Sequence, residues 1–538
     1  MEPLLCPAPV TRYRGFREFL LQIGLLALSC LLFALSFPNF LSTEGWFPLG
    51  FVCICPVFIV LHRCRWGLAP VYGFLYGLAS YALFAYWLGK FHPLTLIIVP
   101  LIFAVLYLPT FPILKAVDRL FPKYGFILQS CLWVCYEYFL KTNGFTAFSY
   151  GSLGYSQYRF LPLIRVASLT GVWGVSLLVV FPSAWLGSVL KDGLRGLGAS
   201  LKAVRIPALA YAAVLSAAVV FGIATKSDLS DARSWKVAMV QHNMDPWWGG
   251  YKSYKEALDR LMRLSTEALK EKPDLVAWSE TAFVPAIDWH TRYRPDNETY
   301  ALVKTLIGFL ESQDVPFLFG NDDGRLKRTD GGEVRVDYNA AILFDKGRIE
   351  KTYWKIHLVP FTENFPYEKA FPGIYTALKN ADTHFWEKGR AYTVFEAAGT
   401  RFSTPICFED TFGSLCRNFY RSGAEVLVNL TNDSWSFSVT AAVQHMSMAV
   451  FRAVENKRTV VRSTNGGYTC VIDPNGRITA SAPPFRETFL VADVPVYTRE
   501  TTLYTLWGDW FPWALLAGSA AAIAWLLLRR RFAPPRLT

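Results

Sequence analysis

Charged side chains are scarce in this chain: Asp, Glu, Lys and Arg make up 18% of 538 residues, below the roughly 25% of ordinary soluble domains. With 52% hydrophobic and 16% aromatic residues, that shortage excludes a disordered chain and argues against a wholly water-soluble one. Cysteines are thin where a secreted fold would need them. Seven of the ten (Cys6, Cys30, Cys53, Cys55, Cys64, Cys131, Cys135) lie in or beside long apolar runs. Only Cys407, Cys416 and Cys470 remain, and they give neither a disulfide framework nor a cysteine zinc pattern. Histidines number 7, and His445 has no second histidine at ligand spacing, so no metal or other cofactor is expected. The net charge of +12 comes without a basic stripe, because Lys and Arg collect in short loops beside the apolar runs; nucleic acid is not an expected partner.

What is present is apolar sequence in bulk, unevenly spread. Long runs fill residues 1–225 and return within 506–538, while 226–505 has the mixed composition of a globule. About 20 mostly apolar residues span a bilayer, which predicts eight spans. They lie near Phe19 to Phe37, Trp46 to Leu61, Trp66 to Leu88, Leu94 to Leu114, Tyr124 to Leu140, Phe160 to Leu190, Ile206 to Thr225 and Phe511 to Leu528, the second short and the sixth long enough to include an interfacial turn. No small-residue cleavage site follows Phe37, so the first run reads as an uncleaved helix. A cytoplasmic N-terminus puts Arg12, Arg14, Arg17, Arg63, Arg65, Lys115, Arg119, Lys123, Lys191, Arg195, Lys202, Arg205 and the cluster from Arg529 to Arg536 on the inside. The opposite short loops hold only Lys90, Lys141, Arg159 and Arg165. The positive-inside rule then places the globule outside the cytoplasm. Glu137, near the outer end of the fifth span, reads as either a functional intramembrane acid or an interfacial one.

In the globule the hydrophobic period changes. Trp235 to Gln241, Pro273 to Trp278, Pro316 to Gly320, Tyr338 to Phe344, Arg401 to Ile406, Glu425 to Leu430 and Thr459 to Ser463 read as strands, and Tyr254 to Glu271 has helical spacing. That alternation predicts an α/β domain with helix-covered sheets. Three polar residues stand near strand ends, where scaffolds present reactive groups: Glu280 after Leu275 to Ser279, Lys355 after Lys351 to Trp354, and Cys407 after Phe402 to Ile406. Taken singly, each has a plain structural explanation as a core thiol, a surface lysine or a helix-terminal acid. Two acids directly beyond Cys407, Glu409 and Asp410, are awkward neighbours for an inert core thiol.

Together these residues resemble the nitrilase superfamily, and the flanking apolar helices resemble its apolipoprotein N-acyltransferase branch. The matching pieces are Trp278-Ser279-Glu280, Tyr338-Asn339-Ala340-Ala341, the run Lys355 to Glu363, Pro405-Ile406-Cys407-Phe408-Glu409, Asn432-Asp433-Ser434-Trp435, Gln444-His445, and Arg462 to Gly467. In the apolar part, Leu153 to Gln157 matches too. Departures are Ser279 where the family usually has Pro, Thr362 for Gly, Phe408 for Tyr, and Ser436-Phe437 for Phe-Gly.

The resemblance implies a multi-span α-helical membrane bundle carrying an extracytoplasmic α/β nitrilase-like domain, an αββα sandwich, in a bacterial inner membrane. It implies catalysis by Glu280 as base, Lys355 as oxyanion donor and Cys407 as nucleophile, supported by Glu363, Glu409 and the Phe408 backbone N–H, with Trp435 at the substrate. Trp247 and Trp248 are candidates for the same lipid entrance or for ordinary packing. The implied donor is a membrane phospholipid, and the implied acceptor a diacylglyceryl-cysteine apolipoprotein. Matches to glycosylation sequons at Asn297, Asn429 and Asn432 are coincidental in such a bacterial protein. Two readings compete. One is a membrane-anchored amidase that gives the thioester to water. The other is a receptor or transporter without catalysis, whose spans would carry paired charges or broken repeats; none is visible.

Overall fold

The computed structural model describes residues 12–532 apart from 92, 144–147, 194–196, 246, 248, 330, 331, 361, 366 and 381–383. Trp248 and Phe361 therefore lie outside the described residues. The chain divides into two compact units drawn from interleaved stretches. One comprises Met1–Leu140, Ser176–Ser216 and Ala514–Thr538, the other Lys141–Val175 and Ala217–Trp513.

The first unit is helical. Its pieces Ala69–Phe84 and Thr95–Leu120 approach closely because Gly73 and Gly77, four residues apart on one face, offer no side chain; a Cβ there would sit 2.4 Å from the Tyr107 carbonyl oxygen and 2.5 Å from that of Phe103. Small residues at this spacing let helix backbones touch where hydrophobic burial gives little selectivity. Around the contact, Tyr76, Tyr81, Phe103, Tyr107, Phe111 and Trp133 pack as a buried aromatic cluster.

Among the described residues, six helices are long and apolar enough to cross a membrane: Gly15–Ser36, Trp66–Phe84, Thr95–Leu120, Val172–Leu190, Arg205–Ala224 and Trp510–Arg529. They fall on six of the eight expected spans, the first, third, fourth, sixth, seventh and eighth. The second is a 3₁₀ turn, Phe47–Phe51, followed by the short helix Cys55–Arg63, each with proline in its first turn. The fifth is Gly125–Cys135, which widens into a π-helical stretch at Tyr136–Thr142. The sixth breaks into Leu161–Ile164, Ala167–Thr170 and Val172–Leu190, the last two separated by Gly171 at φ +66°. A hydropathy window sums composition and is blind to a left-handed glycine that ends a helix. The helix Thr95–Leu120 also runs past the expected end of the fourth span, so Lys115 belongs to it and is buried.

The second unit is an αββα sandwich. Its strands are β1 (Arg233–Gln241), β2 (Leu275–Ala277), β3 (Phe317–Thr329), β4 (Gly332–Asp345), β5 (Arg348–Trp354), β6 (Phe395–Ala397), β7 (Thr400–Ser403), β8 (Val426–Asn432), β9 (Thr459–Asn465), β10 (Cys470–Ile472), β11 (Ile478–Ser481) and β12 (Thr488–Val496). They form two six-stranded sheets ordered β12-β1-β2-β3-β4-β5 and β11-β10-β9-β8-β7-β6. In each, the central three strands are parallel and the flanks antiparallel. The sheets face each other, with Ser463 Oγ donating to the Ala277 carbonyl (2.9 Å) and Trp235 against Phe402.

The helices Tyr251–Leu269 and Asn297–Glu311 cover the first sheet, burying Leu258, Leu261, Val303 and Leu306 against Val276, Trp278, Phe317 and Phe319. The second is covered by Gly413–Arg421 and Val439–Asn456. β8 and β9 are buried nearly throughout, the condition of central parallel strands whose two faces are both covered. As in other parallel sheets, the carboxyl ends of β2, β7 and β8 are where loops can present reactive groups.

Candidate active site

Glu280 lies three residues beyond β2, in a loop that crosses β3 at Gly320. A Cβ on Gly320 would fall 2.2 Å from the Thr281 nitrogen, so only glycine lets the two backbones pass. Lys355 follows β5, its N–H donating to the Asn339 carbonyl (2.9 Å). Its ammonium is wholly buried between two carboxylates, 3.0 Å from Glu280 Oε1 and 2.7 Å from Glu363 Oε1. Glu280 also accepts from Asn339 Nδ2 (2.9 Å) and, through Oε2, from the Asn432 backbone N–H at the end of β8 (3.0 Å). Glu363 is 12% exposed in its side chain and accepts from the Val359 N–H (2.9 Å).

Cys407 opens a 3₁₀ turn, Cys407–Thr411, with φ +53°. A non-glycine residue is held in that left-handed region only when its surroundings over-determine it. The hold is visible: Asn429 Nδ2 donates to the carbonyls of Pro405 (3.1 Å) and Cys407 (2.9 Å). Glu409, wholly buried two residues on, accepts from the Tyr353 hydroxyl (2.9 Å) and from the backbone N–H groups of Ile356 (2.7 Å), His357 (2.9 Å) and Ile406 (2.8 Å). One carboxylate thus bolts the Cys407 turn to the segment bearing Lys355. Burial pushes its pKa up to about 7, against the pull of those hydrogen bonds.

The electrostatics favour a thiol at rest. Burial pushes the Cys407 thiol well above its ordinary range and the Glu280 charge adds to that, while Lys355 opposes both. Lys355 stays an ammonium: burial works against the charge, but Glu280, Glu363 and Cys407 together hold its pKa well above the usual value. Glu363 is raised by burial, with Lys355 opposing. The arrangement therefore sets a protonated thiol beside a carboxylate able to take its proton and a fixed cation able to meet a developing oxyanion.

The structure brings Glu280, Lys355, Cys407, Glu363 and Glu409 into one cluster, with Glu280, Lys355 and Glu409 buried and Cys407 and Glu363 partly exposed. The Phe408 ring is buried against Phe412, and Trp435 is half-buried in the turn Ser434–Ser436. Trp247 donates from Nε1 to Thr281 Oγ1 (3.4 Å), beside Glu280, and packs near Trp386. Asn429, Asp410 and Arg462 were not legible as site residues; the Asn-x-Thr at Asn429 matches a sequon only by coincidence, and its amide donates to the carbonyls of Pro405 and Cys407. His445 is likewise more than a helix residue, since both ring nitrogens face carboxylates, Asp410 (2.9 Å) and Asp433 (3.1 Å). Among the described residues, one group has the geometry to hold a metal: Asp322, Asp337 and His384, with ligand atoms within 4.8 Å of one another.

Residues 236–502 match the carbon-nitrogen hydrolase family, and residues 29–185 match the apolipoprotein N-acyltransferase N-terminal domain. Apolipoprotein N-acyltransferase 1 of Treponema denticola is 43% identical over 514 residues, covering 92% of this chain and 94% of its own. The protein of the same name from Treponema pallidum is 45% identical over 518 residues, covering 91% and 92%. A structure of the amidase from Nesterenkonia sp. AN1 aligns at 17% identity and a TM-score of 0.36, covering 50% of this chain and 94% of that one.

Proposed function

Because the chain belongs to the apolipoprotein N-acyltransferase family, we propose that it moves an acyl chain from a membrane phospholipid, through a thioester on Cys407, to the N-terminal amine of a diacylglyceryl-cysteine apolipoprotein. The observation that carries this reading is the buried Lys355 ammonium, held between Glu280 and Glu363 beside the Cys407 thiol.

Glu280 takes the thiol proton, and the sulfur attacks the ester carbonyl. The tetrahedral oxyanion is met by Lys355 and by the Phe408 N–H. The carbon–oxygen bond then breaks, the leaving alkoxide takes the proton back from Glu280, and lysophospholipid departs. In the second half the acceptor amine attacks the thioester, Glu280 accepts the amine's proton, and Cys407 leaves as thiolate and is reprotonated. Glu363 keeps Lys355 charged and aimed, and Glu409 holds the two halves of the site in register. Trp435 lines the lipid side.

Residues 226–505 form the catalytic domain in this reading, and the stretches 1–225 and 506–538 anchor it in the inner membrane of a bacterium with the site facing outward. Both substrates are lipids, so a site at the bilayer surface lets the thioester meet an amine before water does. The test is mass spectrometry of the purified protein after exposure to phospholipid alone. One acyl mass should appear on the peptide containing Cys407, be removed by hydroxylamine, and transfer to a diacylated lipopeptide. An adduct that decays equally fast in water without acceptor would make the enzyme an amidase instead. Tags at the N-terminus, in the loop 191–205 and at the C-terminus should report cytoplasm, and a tag at Lys327 the outside.

A further inference from the structure

Behind Cys407 lies a second buried charge cluster that the reaction above does not use. His445, on the helix Val439–Asn456, sets Nε2 2.9 Å from Asp410 Oδ1 and Nδ1 3.1 Å from Asp433 Oδ1. Arg462 on β9 pairs with Asp410 and lies 3.7 Å from Asp433 Oδ2, and the Tyr150 ring is 6.2 Å from the imidazole. All four charged members are buried. Two carboxylates, a guanidinium and an imidazolium sum to zero charge, which is the condition for burying such a group tolerably. A carboxylate only accepts, so a ring bonded to one at each nitrogen must donate from both.

The two carboxylates belong to different catalytic segments. Asp410 sits in the 3₁₀ turn that begins at Cys407, and Asp433 follows Asn432, whose N–H holds Glu280. We propose that His445 is a positioning residue, an imidazolium clasp that fixes the turn carrying the nucleophile to the turn that holds its base. The assignment rests on the roles given above to Cys407 and Glu280.

The clasp has a pH signature. Burial is the largest single influence and opposes the charged ring, and Arg462 opposes it too, but the charge and hydrogen bond of Asp410 together with the charge of Asp433 outweigh both and leave the pKa at about 9. The other titratable groups near it do not compete in that range. Asp410 is held below the usual carboxylate range, Arg462 against Asp410 above its ordinary value, and burial pushes Tyr150 well above its own. Lys355 titrates higher still.

The experiment is single-turnover acylation of the full chain in detergent by a dipalmitoyl phospholipid, followed as a function of pH. Wild type should lose rate as pH rises through about 9. Asp433→Asn removes one of the two carboxylates that raise the ring's pKa, so its alkaline limb should move down by a pH unit or more, with KM for phospholipid within a factor of two. His445→Gln should lower the rate on the order of 10²-fold, the scale of a small misplacement of reacting groups. That variant should also lose the alkaline limb and keep KM. An unmoved limb in Asp433→Asn, or a wild-type rate in His445→Gln, overturns the clasp. Where neither variant folds, nitrogen NMR of labelled histidine in the wild type decides: a doubly protonated His445 at neutral pH supports the clasp, and a neutral ring overturns it. Absence of any acyl adduct in wild type would instead sink the function assigned to Cys407, leaving the NMR result to judge the clasp by itself.

Discussion

The helical unit and the globular unit both carry paired charge, but in different company. In the helical unit the ion pairs stand toward helix ends: Arg63 grips Glu18 with two nitrogens (2.7 and 2.6 Å), and Asp118 gathers His62 (2.6 Å) and Lys115 (3.2 Å). Glu137 is the interior exception, and Ser176 Oγ donates to it (2.7 Å). Elsewhere the unit is packed by aromatic rings. In the globular unit the charges occupy the middle: Glu280, Lys355, Glu409 and Asp410 are buried in loops beyond strands, His445 on the helix Val439–Asn456 and Arg462 within β9, with apolar packing outside them. Burying an ion pair is rarely a gain in stability, since desolvation offsets most of the Coulomb attraction. Charge at a helix end needs no further reason than the proximity of water, whereas charge at the centre of a sandwich is retained for what it does.

That contrast predicts which substitutions hurt function and which hurt folding. The largest functional effect should come from Cys407→Ser, which removes the acyl adduct altogether while thermal unfolding stays near wild type. A hydroxyl in place of the thiol is far harder for a carboxylate to deprotonate. If the serine variant retained turnover, the central charges would have to serve some other group. Lys355→Ala comes next and should do double damage. Loss of a charged oxyanion donor costs roughly 2.7 to 4 kcal/mol of transition-state stabilisation. Stripping the partner from Glu280 and Glu363 costs folding roughly 3 to 5 kcal/mol as well. Rates of adduct formation and a denaturant titration measure the two separately.

A substitution at a helix end should show the reverse pattern. Asp118→Asn leaves Lys115 and His62 with a weaker acceptor, so unfolding should become easier by about 1 to 3 kcal/mol. The acylation rate per folded molecule should be unchanged. A loss of rate without a loss of stability would mean that the helix-end charges serve the chemistry too.

The same contrast explains what could be read from the sequence. Apolar runs announced the helices, and strand-like periods flagged β1, β2, β3, β4, β7, β8 and β9, because composition and period are local properties. The breaks at Pro48 and Pro56 were not legible as breaks, since they lie inside stretches whose mean hydropathy is high, and the length of the sixth run announced a turn without placing it at Gly171. The strands β6, β10, β11 and β12 were also missed, and β5 was seen only at its end from Lys351 to Trp354; their short or mixed patterns take their meaning from a neighbour. Within the site, Glu280, Lys355 and Cys407 could be picked out by motif. Asn429 could not, and His445, though part of the matching Gln444-His445 piece, carried no role there, because each acts through a partner remote in sequence: Asn429 through the carbonyl of Cys407, His445 through Asp410 and Asp433. A buried hydrogen bond across such a distance leaves no mark on hydrophobic period.

The smallest effect on chemistry should come from the two other thiols of the globule, and it sharpens the comparison between a buried group that acts and one that fills space. Cys416 and Cys470 are wholly inaccessible, whereas Cys407 is half-buried. Burial pushes the Cys470 thiol up to about 12 and that of Cys416 well above its ordinary value. Both resist ionisation, as Cys407 does, but neither bears on the Glu280–Lys355–Glu363 cluster. Cys416 points its sulfur at the Glu409 carbonyl (3.8 Å), and Cys470 sits on β10 near Arg462. Serine at either position buries a hydroxyl in a site shaped for sulfur, which costs folding roughly 1 to 3 kcal/mol. It takes nothing from the reacting atoms. The acyl adduct should therefore form on Cys416→Ser and Cys470→Ser at close to the wild-type rate, with only the denaturation midpoint lowered. Iodoacetamide applied to the native protein should modify Cys407 and leave these two untouched. Loss of the adduct in either variant, with its fold intact, would show that the nucleophile had been chosen from the wrong thiol.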